Sequence, residues 1–299
     1  MAGLITQAAW PRLVQKDLSL VFVNQYRDIP SMLPLLYRMK RAEQGTEYDL
    51  ETGDIGVVPA LSDTGIAYDT VQEGYRKSVT ETEYALGIKV TRKLLRNDLY
   101  GVIKEKTKLL AQAFRHLRET RGAFAFNNAF NSSFTVGDTL SLCNSAHTSR
   151  YGGANQSNTS TLAFSAANLE TNRIAMKKLK TNRDNPMVNI PTIILAPMDL
   201  EDKVYEVIKS MGKVDTAVNN RNYHEGRYNA IIWDNYLTSA TAWFIINESM
   251  MKEKLVFREW EPMQFFMSGE FDTLVSKYAG YCSFETSTVE WRWAFGANP

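Results

Sequence analysis

The chain has 299 residues, of which 44% are hydrophobic and 22% charged, so it can form one large globular domain or two smaller ones. Its net charge of +1 excludes a protein whose whole surface binds polyanions. Cys143 and Cys282 are too few for a disulfide framework. No apolar run approaches the roughly eighteen residues of a membrane-spanning helix, so we expect no membrane partner.

Residues 1–45 are predicted to form an N-terminal arm. Pro11, Pro30 and Pro34 separate short apolar runs, each too short to hold a core alone. Such an arm would bury its apolar pieces against another surface. One or two helices packed on the chain's own domain fit the same residues equally well.

The stretch from Gly45 to Tyr75 is acidic and contains no lysine or arginine. Its seven acids are Glu47, Asp49, Glu51, Asp54, Asp63, Asp69 and Glu73. Glycines and Pro59 supply turn signals, and apolar and polar residues alternate from Tyr84 to Val90. This pattern predicts a long two-stranded excursion with an acidic tip. The acids lack EF-hand spacing, which argues against a calcium site.

The stretch from Asn97 to Asn131 is predicted to form one helix, because apolar residues recur at helical spacing with no proline. Roughly thirty residues at 1.5 Å rise would span about 45 Å. Its outer face carries six cations and two acids, a net charge of +4. The cations are Lys104, Lys106, Lys108, Arg115, Arg118 and Arg121. A strut with a functional charged face and an ordinary solvated helix both fit this pattern.

Residues 166–249 alternate between helical and strand-like patterns, which predicts a compact α/β domain. In the tail that follows, Val289, Trp291, Trp293 and Phe295 alternate with Glu290, Arg292 and Ala294, which predicts a strand with one wide aromatic face. We expect the long helix to cover that face. The α/β domain would then be an insertion between the helix and the tail.

No catalytic motif is found in the chain: nucleotide-binding glycine loops, the G-x-S-x-G elbow and H-E-x-x-H are all missing. Cys143 and His147 form a single potential metal-ligand pair without a second, so no metal site is predicted. We therefore predict no enzyme activity and no cofactor. Scattered lysines and arginines are compatible with sequence-independent contact to nucleic-acid phosphates only.

Five segments resemble one known family, in the expected order. They are VTRKLLRNDLYG at Val90–Gly101, LCNSAHTSRYGGANQSN at Leu142–Asn158, and the segments Ala167–Ser210, Asp234–Ser249 and Ser276–Pro299. They resemble tailed-bacteriophage major capsid proteins of the HK97-like fold, most closely the Mu-like major head family. The likeness spans about two hundred residues from Leu86 onward.

The resemblance implies an α+β, HK97-like fold. Its parts would be an N-terminal arm (1–45), an extended two-stranded E-loop (46–86), a P-domain (87–165) with a spine helix (97–131), an inserted A-domain (166–249) and C-terminal P-domain strands (250–299). The helix, the excursion, the arm and the α/β insertion were each predicted from the residues independently.

The implied function is that of a major capsid protein, whose copies form pentamers and hexamers of an icosahedral head shell around double-stranded DNA. The implied partners are other copies of the chain, scaffolding and portal proteins, and packaged DNA bound without sequence preference. The implied location is the virion, after assembly in the host cytoplasm. Alternatives are an encapsulin-type or other phage-derived shell, a small enzyme, or a nucleic-acid-binding module.

Charge asymmetry suggests how subunits join. We expect the acidic loop of one subunit to dock on the basic helix region of the next, a head-to-tail contact that closes into rings. The predicted interface residues are Glu47, Asp49, Glu51, Asp54, Asp63, Asp69, Lys104, Lys106, Lys108 and Arg115.

Overall fold

A computed structural model describes residues 9–61, 65–66, 68–70, 73–97, 101–212, 221–270 and 275–299, without the side chains of residues 9–16, 95 and 96. Within these ranges the fold is α+β, as predicted. Helices α1 to α7 are, in order, Ala9–Asp28, Leu33–Leu36, Arg92–Arg96, Val102–Asn127, Ala166–Lys177, Glu201–Lys209 and Glu248–Lys254. Strands β1 to β11 are Arg38–Arg41, Thr46–Thr52, Glu73–Thr80, Glu83–Thr91, Thr159–Ser160, Ile193–Ala196, Asn229–Ile232, Trp243–Ile246, Val256–Glu270, Val275–Ser287 and Ala294–Ala297.

The long helix α4 is shorter than the predicted range 97–131. Gly101 precedes it with φ +67°, a left-handed conformation that glycine adopts without steric cost, so the helix starts afresh at Val102. At the other end, the side-chain amide of Asn128 donates to the carbonyl of Phe124 at 3.0 Å and closes the last turn. Residues 92–96 form the separate helix α3, and residues 98–100 lie outside the described ranges.

The N-terminal segment packs on α4 and is part of the body over its described length. Phe22 of α1 is 1% exposed and contacts Phe114 of α4 and Phe265 of β9, with ring centroids 6.4 and 4.9 Å away. Further along, Leu33 lies so close to Gly122 that a β-carbon there would meet it at 2.0 Å. The arm predicted for 1–45 is therefore folded onto its own chain from residue 9 onward, the alternative that the sequence left open.

A buried carboxylate joins three parts of the chain. Glu119 of α4 is 2% exposed and accepts hydrogen bonds from the hydroxyl of Ser31, from the backbone amide of Met32 at 3.3 Å and from the indole of Trp233 at 3.2 Å. The three donors satisfy the buried carboxyl group, which would be costly to bury without hydrogen bonds. The N-terminal segment, the long helix and the end of β7 are thereby fixed to each other.

The first sheet has the strand order β1-β9-β10-β4. Strands β9 and β10 form a long antiparallel hairpin, and β10 pairs with β4 from Val275 opposite Thr91 to Ser283 opposite Glu83. We predicted that residues up to 86 belong to the extended loop. Instead strand β3 of the loop ends at Thr80, and a new strand, β4, begins at Glu83. Strand β4 belongs to the body, because it pairs with β10 in the first sheet.

The second sheet has the order β5-β11-β8-β6-β7. Strands β6 to β8 come from the predicted insertion 166–249, whereas β5 and β11 come from outside it. The proposed boundaries at 166 and 249 therefore do not enclose a complete sheet, and the domain division stays a prediction. The two sheets and α4 share one large hydrophobic core.

The aromatic tail differs from its predicted strand. Residues 289–293 are irregular, and only Ala294–Ala297 is a strand, with both of its faces buried. Trp293 packs against Phe126 near the end of α4, at a centroid distance of 6.1 Å. Trp291 instead stacks on His147, 4.1 Å away. The long helix thus covers one tryptophan, and the loop that follows it covers the other.

None of the described helices combines the length and the hydropathy that crossing a membrane requires.

Candidate functional site

The acidic stretch begins as a two-stranded ribbon, in which β2 pairs antiparallel with β3. Glu47, Asp49 and Glu51 alternate along β2, so their side chains share one face. The intervening Tyr48 and Leu50 are about half exposed. The acidic face is turned toward the body of the same chain, as the following contacts show.

Arg258 of β9 is the first cationic partner of this face. It is 2% exposed and donates to Glu47 at 3.2 Å, to Asp49 and to the hydroxyl of Ser287. Burial raises the pKa of Glu47, but hydrogen bonds from Lys40, from a backbone amide and from Arg258 outweigh it, so its pKa is lowered. The pairing keeps the Glu47 carboxylate charged within the fold.

Glu51 meets a second buried arginine. Its carboxylate accepts from the amide of Asn182 at 2.6 Å and from the backbone of Tyr75 at 3.1 Å, and Arg292 lies 3.7 Å away. Arg292 also pairs with Glu290 at 2.8 Å. One guanidinium therefore serves two acids, and burial together with the charge of Glu290 raises the pKa of Glu51. We call the contacts of Arg258 and Arg292 with β2 the loop-base clamp.

Two acids beyond the ribbon are also held within the chain. Asp54 accepts from the amide of Asn185 at 2.9 Å. Asp69 accepts from the backbone of Gly56 at 2.7 Å and pairs with Arg183 at 2.6 Å, and these two contacts lower its pKa. Asp63 lies outside the described residues.

The predicted basic partners divide into two kinds. Lys104, Lys106 and Lys108 are exposed, and only Lys108 approaches a described carboxylate, that of Glu105 at 4.0 Å. Arg115 is half-buried and donates to the backbone carbonyl of residue 29 at 2.6 Å. The five described acids thus have partners in their own chain, whereas the three lysines face solvent. Docking between subunits through these charges stays a prediction.

Sequence reasoning missed the arginines of the clamp. Arg258 follows Val256 and Phe257, and Arg292 stands between two tryptophans, so each has large apolar neighbours. An arginine with such neighbours is a signal of a buried cation that needs a carboxylate. Its partner could not be named from sequence, because Glu47 and Arg258 are 211 positions apart.

The loop beyond the ribbon exposes a second feature that charge counting missed. Six large apolar side chains are between 57% and 92% exposed: Ile55, Val57, Val58, Leu61, Ile66 and Tyr68. Residues 53–61 contain no strand. We call these six residues the apolar tip. Such a concentration of exposed apolar side chains is typical of an interaction surface.

His147 is buried and serves the fold. Its Nδ1 lies 2.7 Å from the carboxylate of Asp138, and its Nε2 lies 3.1 Å from the side-chain oxygen of Asn158. Burial raises the pKa of the neighbouring Cys143 thiol. Both ring nitrogens of His147 are thus engaged by side chains of the fold. Within the described ranges, no three histidines, cysteines or acids are grouped so as to hold a metal.

Three features together define the HK97-like fold of phage capsid subunits. They are a long helix packed on a four-stranded sheet, a second sheet with three strands from the α/β segment, and the two-stranded ribbon of β2 and β3. Solved structures share this fold. The mature capsid of bacteriophage PhiM1 gives a TM-score of 0.61 at 10% identity, covering 90% of this chain and 87% of that one. A structure from Microbacterium phage Oxtober96 gives a TM-score of 0.56 at 13% identity, covering 90% of each chain. A virus-like particle from Pyrococcus furiosus gives 0.54 at 8% identity, covering 95% and 99%.

The chain belongs to the phage capsid protein family, whose model matches residues 74–296. No curated protein matches it significantly. The family match and the fold together show a structural protein of the capsid shell, and hence a component of the virion.

Proposed function

We propose that the chain is the major capsid protein of a tailed bacteriophage. Many copies assemble in the host cytoplasm as pentamers and hexamers of an icosahedral head, with scaffolding and portal proteins, around double-stranded DNA. The observation that carries the proposal is the family match over residues 74–296 together with a fold that spans about nine tenths of the chain. The role is structural, and no step of catalysis is proposed.

The subunit has surfaces that suit assembly with other copies. The loop-base clamp holds the ribbon to its own body through Arg258 and Arg292. The apolar tip extends from that anchored base and is solvated in the single subunit. Covering it with a neighbouring subunit would remove apolar surface from water at roughly 25 cal/mol per Å². We therefore propose that the loop contacts the next subunit mainly through its apolar tip.

An encapsulin-type shell is the second candidate. The virus-like particle from Pyrococcus furiosus has the same fold at a TM-score of 0.54, so the fold alone does not single out a phage head. The family match favours a phage capsid. A place near the Mu-like major head family is proposed on the sequence resemblance of 142–158 and 167–210.

Negative-stain microscopy of the purified chain tests the assignment. We expect rings of five or six subunits and closed shells of uniform size. Val57→Asp with Val58→Asp should abolish them while leaving a folded subunit, because the tip would lose its apolar contact. Val188→Asp places a charge at an equally exposed valine outside the loop and serves as control. Subunits that stay monomeric at every concentration would contradict the assignment; shells from the double variant would contradict only the role of the tip.

A further inference from the structure

One end of the long helix has a concentration of cations with almost no carboxylate partners among the described residues. Six exposed lysines and arginines lie at the end of β4, in α3 and in the first turns of α4. They are Lys89, Arg92, Lys93, Lys104, Lys106 and Lys108. We call them the basic patch.

Packing brings these three elements together. Val90 at the end of β4 and Ile103 at the start of α4 are buried in one small cluster, and Leu94 of α3 packs against it. Each of these apolar residues has a patch cation as its neighbour in sequence. The cluster holds the end of β4, α3 and the first turn of α4 next to one another, so the six cations lie in one region of the subunit.

The patch has little internal compensation. Residues 89–108 contain seven lysines and arginines and two acids, a net charge of +5. Between the patch and the rest of the described chain, the only ion pair is the 4.0 Å contact of Lys108 with Glu105, and both side chains are largely exposed. By contrast, Arg183, Arg258 and Arg292 pair with the acids of the loop. The loop's negative charge is therefore engaged elsewhere.

We propose that the basic patch binds the phosphate backbone of double-stranded DNA, as the surface of the subunit that meets the genome. This inference rests on the proposed function for its ligand. Five of the six cations are lysines, which are depleted at protein–protein interfaces. Rows of phosphates, in contrast, are neutralised by flexible lysines without demanding a fixed geometry, and each contact releases counterions. Binding is independent of sequence, because contacts to phosphates carry no information about the bases.

Fluorescence anisotropy with a random 30-base-pair duplex and unassembled subunits tests this surface. The test variant combines Lys93→Gln, Lys104→Gln and Lys106→Gln. The control combines Lys177→Gln, Lys203→Gln and Lys209→Gln, which removes the same charge from exposed positions on α5 and α6. A third variant replaces the three patch lysines with arginine and should bind like the wild type.

The wild type should lose affinity steeply between about 50 and 200 mM salt. The test variant should reduce the slope of log affinity against log salt by about 2.7, since each phosphate contact contributes about 0.9. The control should keep the wild-type slope. Equal loss in test and control variants would overturn the proposal, as would absence of binding by the wild type. Competition by polyglutamate that is stronger than competition by unlabelled DNA would assign the patch to an acidic protein instead.

Microscopy of the same preparations separates this inference from the proposed function. Shells formed by subunits that do not bind DNA would overturn the DNA-binding patch alone. DNA binding by subunits that never form rings or shells would overturn the capsid assignment and, with it, the genome as ligand.

Discussion

The loop base and the start of the long helix both concentrate charge of one sign, yet they use it differently. At the loop base, Glu47, Asp49 and Glu51 turn toward the body and meet buried Arg258 and Arg292. At the helix start, the lysines point into solvent. Runs that look complementary along the sequence are thus not each other's partners within the subunit. Charge becomes structural where the fold buries it and remains available for ligands where it does not.

Removing the cation of the loop base should have the largest effect. Arg258→Ala leaves two carboxylates near a buried site without their guanidinium, and breaking a buried pair in this way costs about 3–5 kcal/mol. Urea unfolding followed by circular dichroism measures the change. If the variant is as stable as wild type, water or Lys40 replaces the arginine and the clamp is not a structural element.

At the start of α4, the backbone conformation of Gly101 should contribute more to stability than the charges of the exposed lysines do. Gly101→Ala should destabilise the subunit by roughly 1–3 kcal/mol, because alanine would occupy the left-handed region at φ +67°. The same unfolding experiment detects it. Gly45→Ala is a suitable control, since a β-carbon there meets no atom within 4 Å and its φ is not left-handed. Equal stability of both variants would mean that the helix does not begin at a fixed point.

Stability at the loop base should also depend on pH. Burial lowers the pKa of Lys77 on β3 to about 8, opposed by Asp49 and Glu285. The folded state then releases its proton at lower pH than the unfolded state, so this contribution to stability rises between about pH 8 and 10.5 and is lost as pH falls through 8. The free energy of unfolding of Lys77→Met, compared with wild type over this range, should lack that rise. Parallel curves would show that Lys77 is solvated.

The smallest effect is expected for the exposed lysines. Lys104→Gln with Lys106→Gln should change the free energy of unfolding by no more than about 0.5 kcal/mol, as is usual for surface positions. A loss as large as that of Arg258→Ala would mean that these side chains have a structural partner, and the contrast between the two regions would disappear.

Much of the fold could be predicted because its signals are local. Helical spacing marked α4, and the alternation from Tyr84 to Val90 marked strand β4. The boundaries depended on two features that periodicity does not reveal. One is the left-handed conformation of Gly101. The other is the interruption at residues 81–82, after which β4 pairs with one edge of β10 while β9 pairs with the other. Strand β11 joined the second sheet through pairing with β8, about fifty residues earlier in the chain.

The candidate site was predicted less well for a related reason. Acidic residues are visible in the sequence, but their partners are set by tertiary structure. Asp69 and Arg183 are 114 positions apart, and Asn185 lies 131 positions from Asp54. The net charge of each segment therefore predicted that the loop is acidic, but it could not predict which residues pair with its carboxylates. The exposure of the apolar tip likewise depends on what the fold leaves uncovered.

The loop-base clamp has a consequence for synthesis. Glu47 leaves the ribosome 211 residues before Arg258, which at 5–20 residues per second is a delay of roughly 10–40 s. During that time the acidic ribbon has no buried arginine to meet, and its charge keeps the nascent segment hydrated and apart from other chains. Translation itself therefore postpones the anchoring of the loop, and with it the presentation of the apolar tip, until most of the subunit has been made.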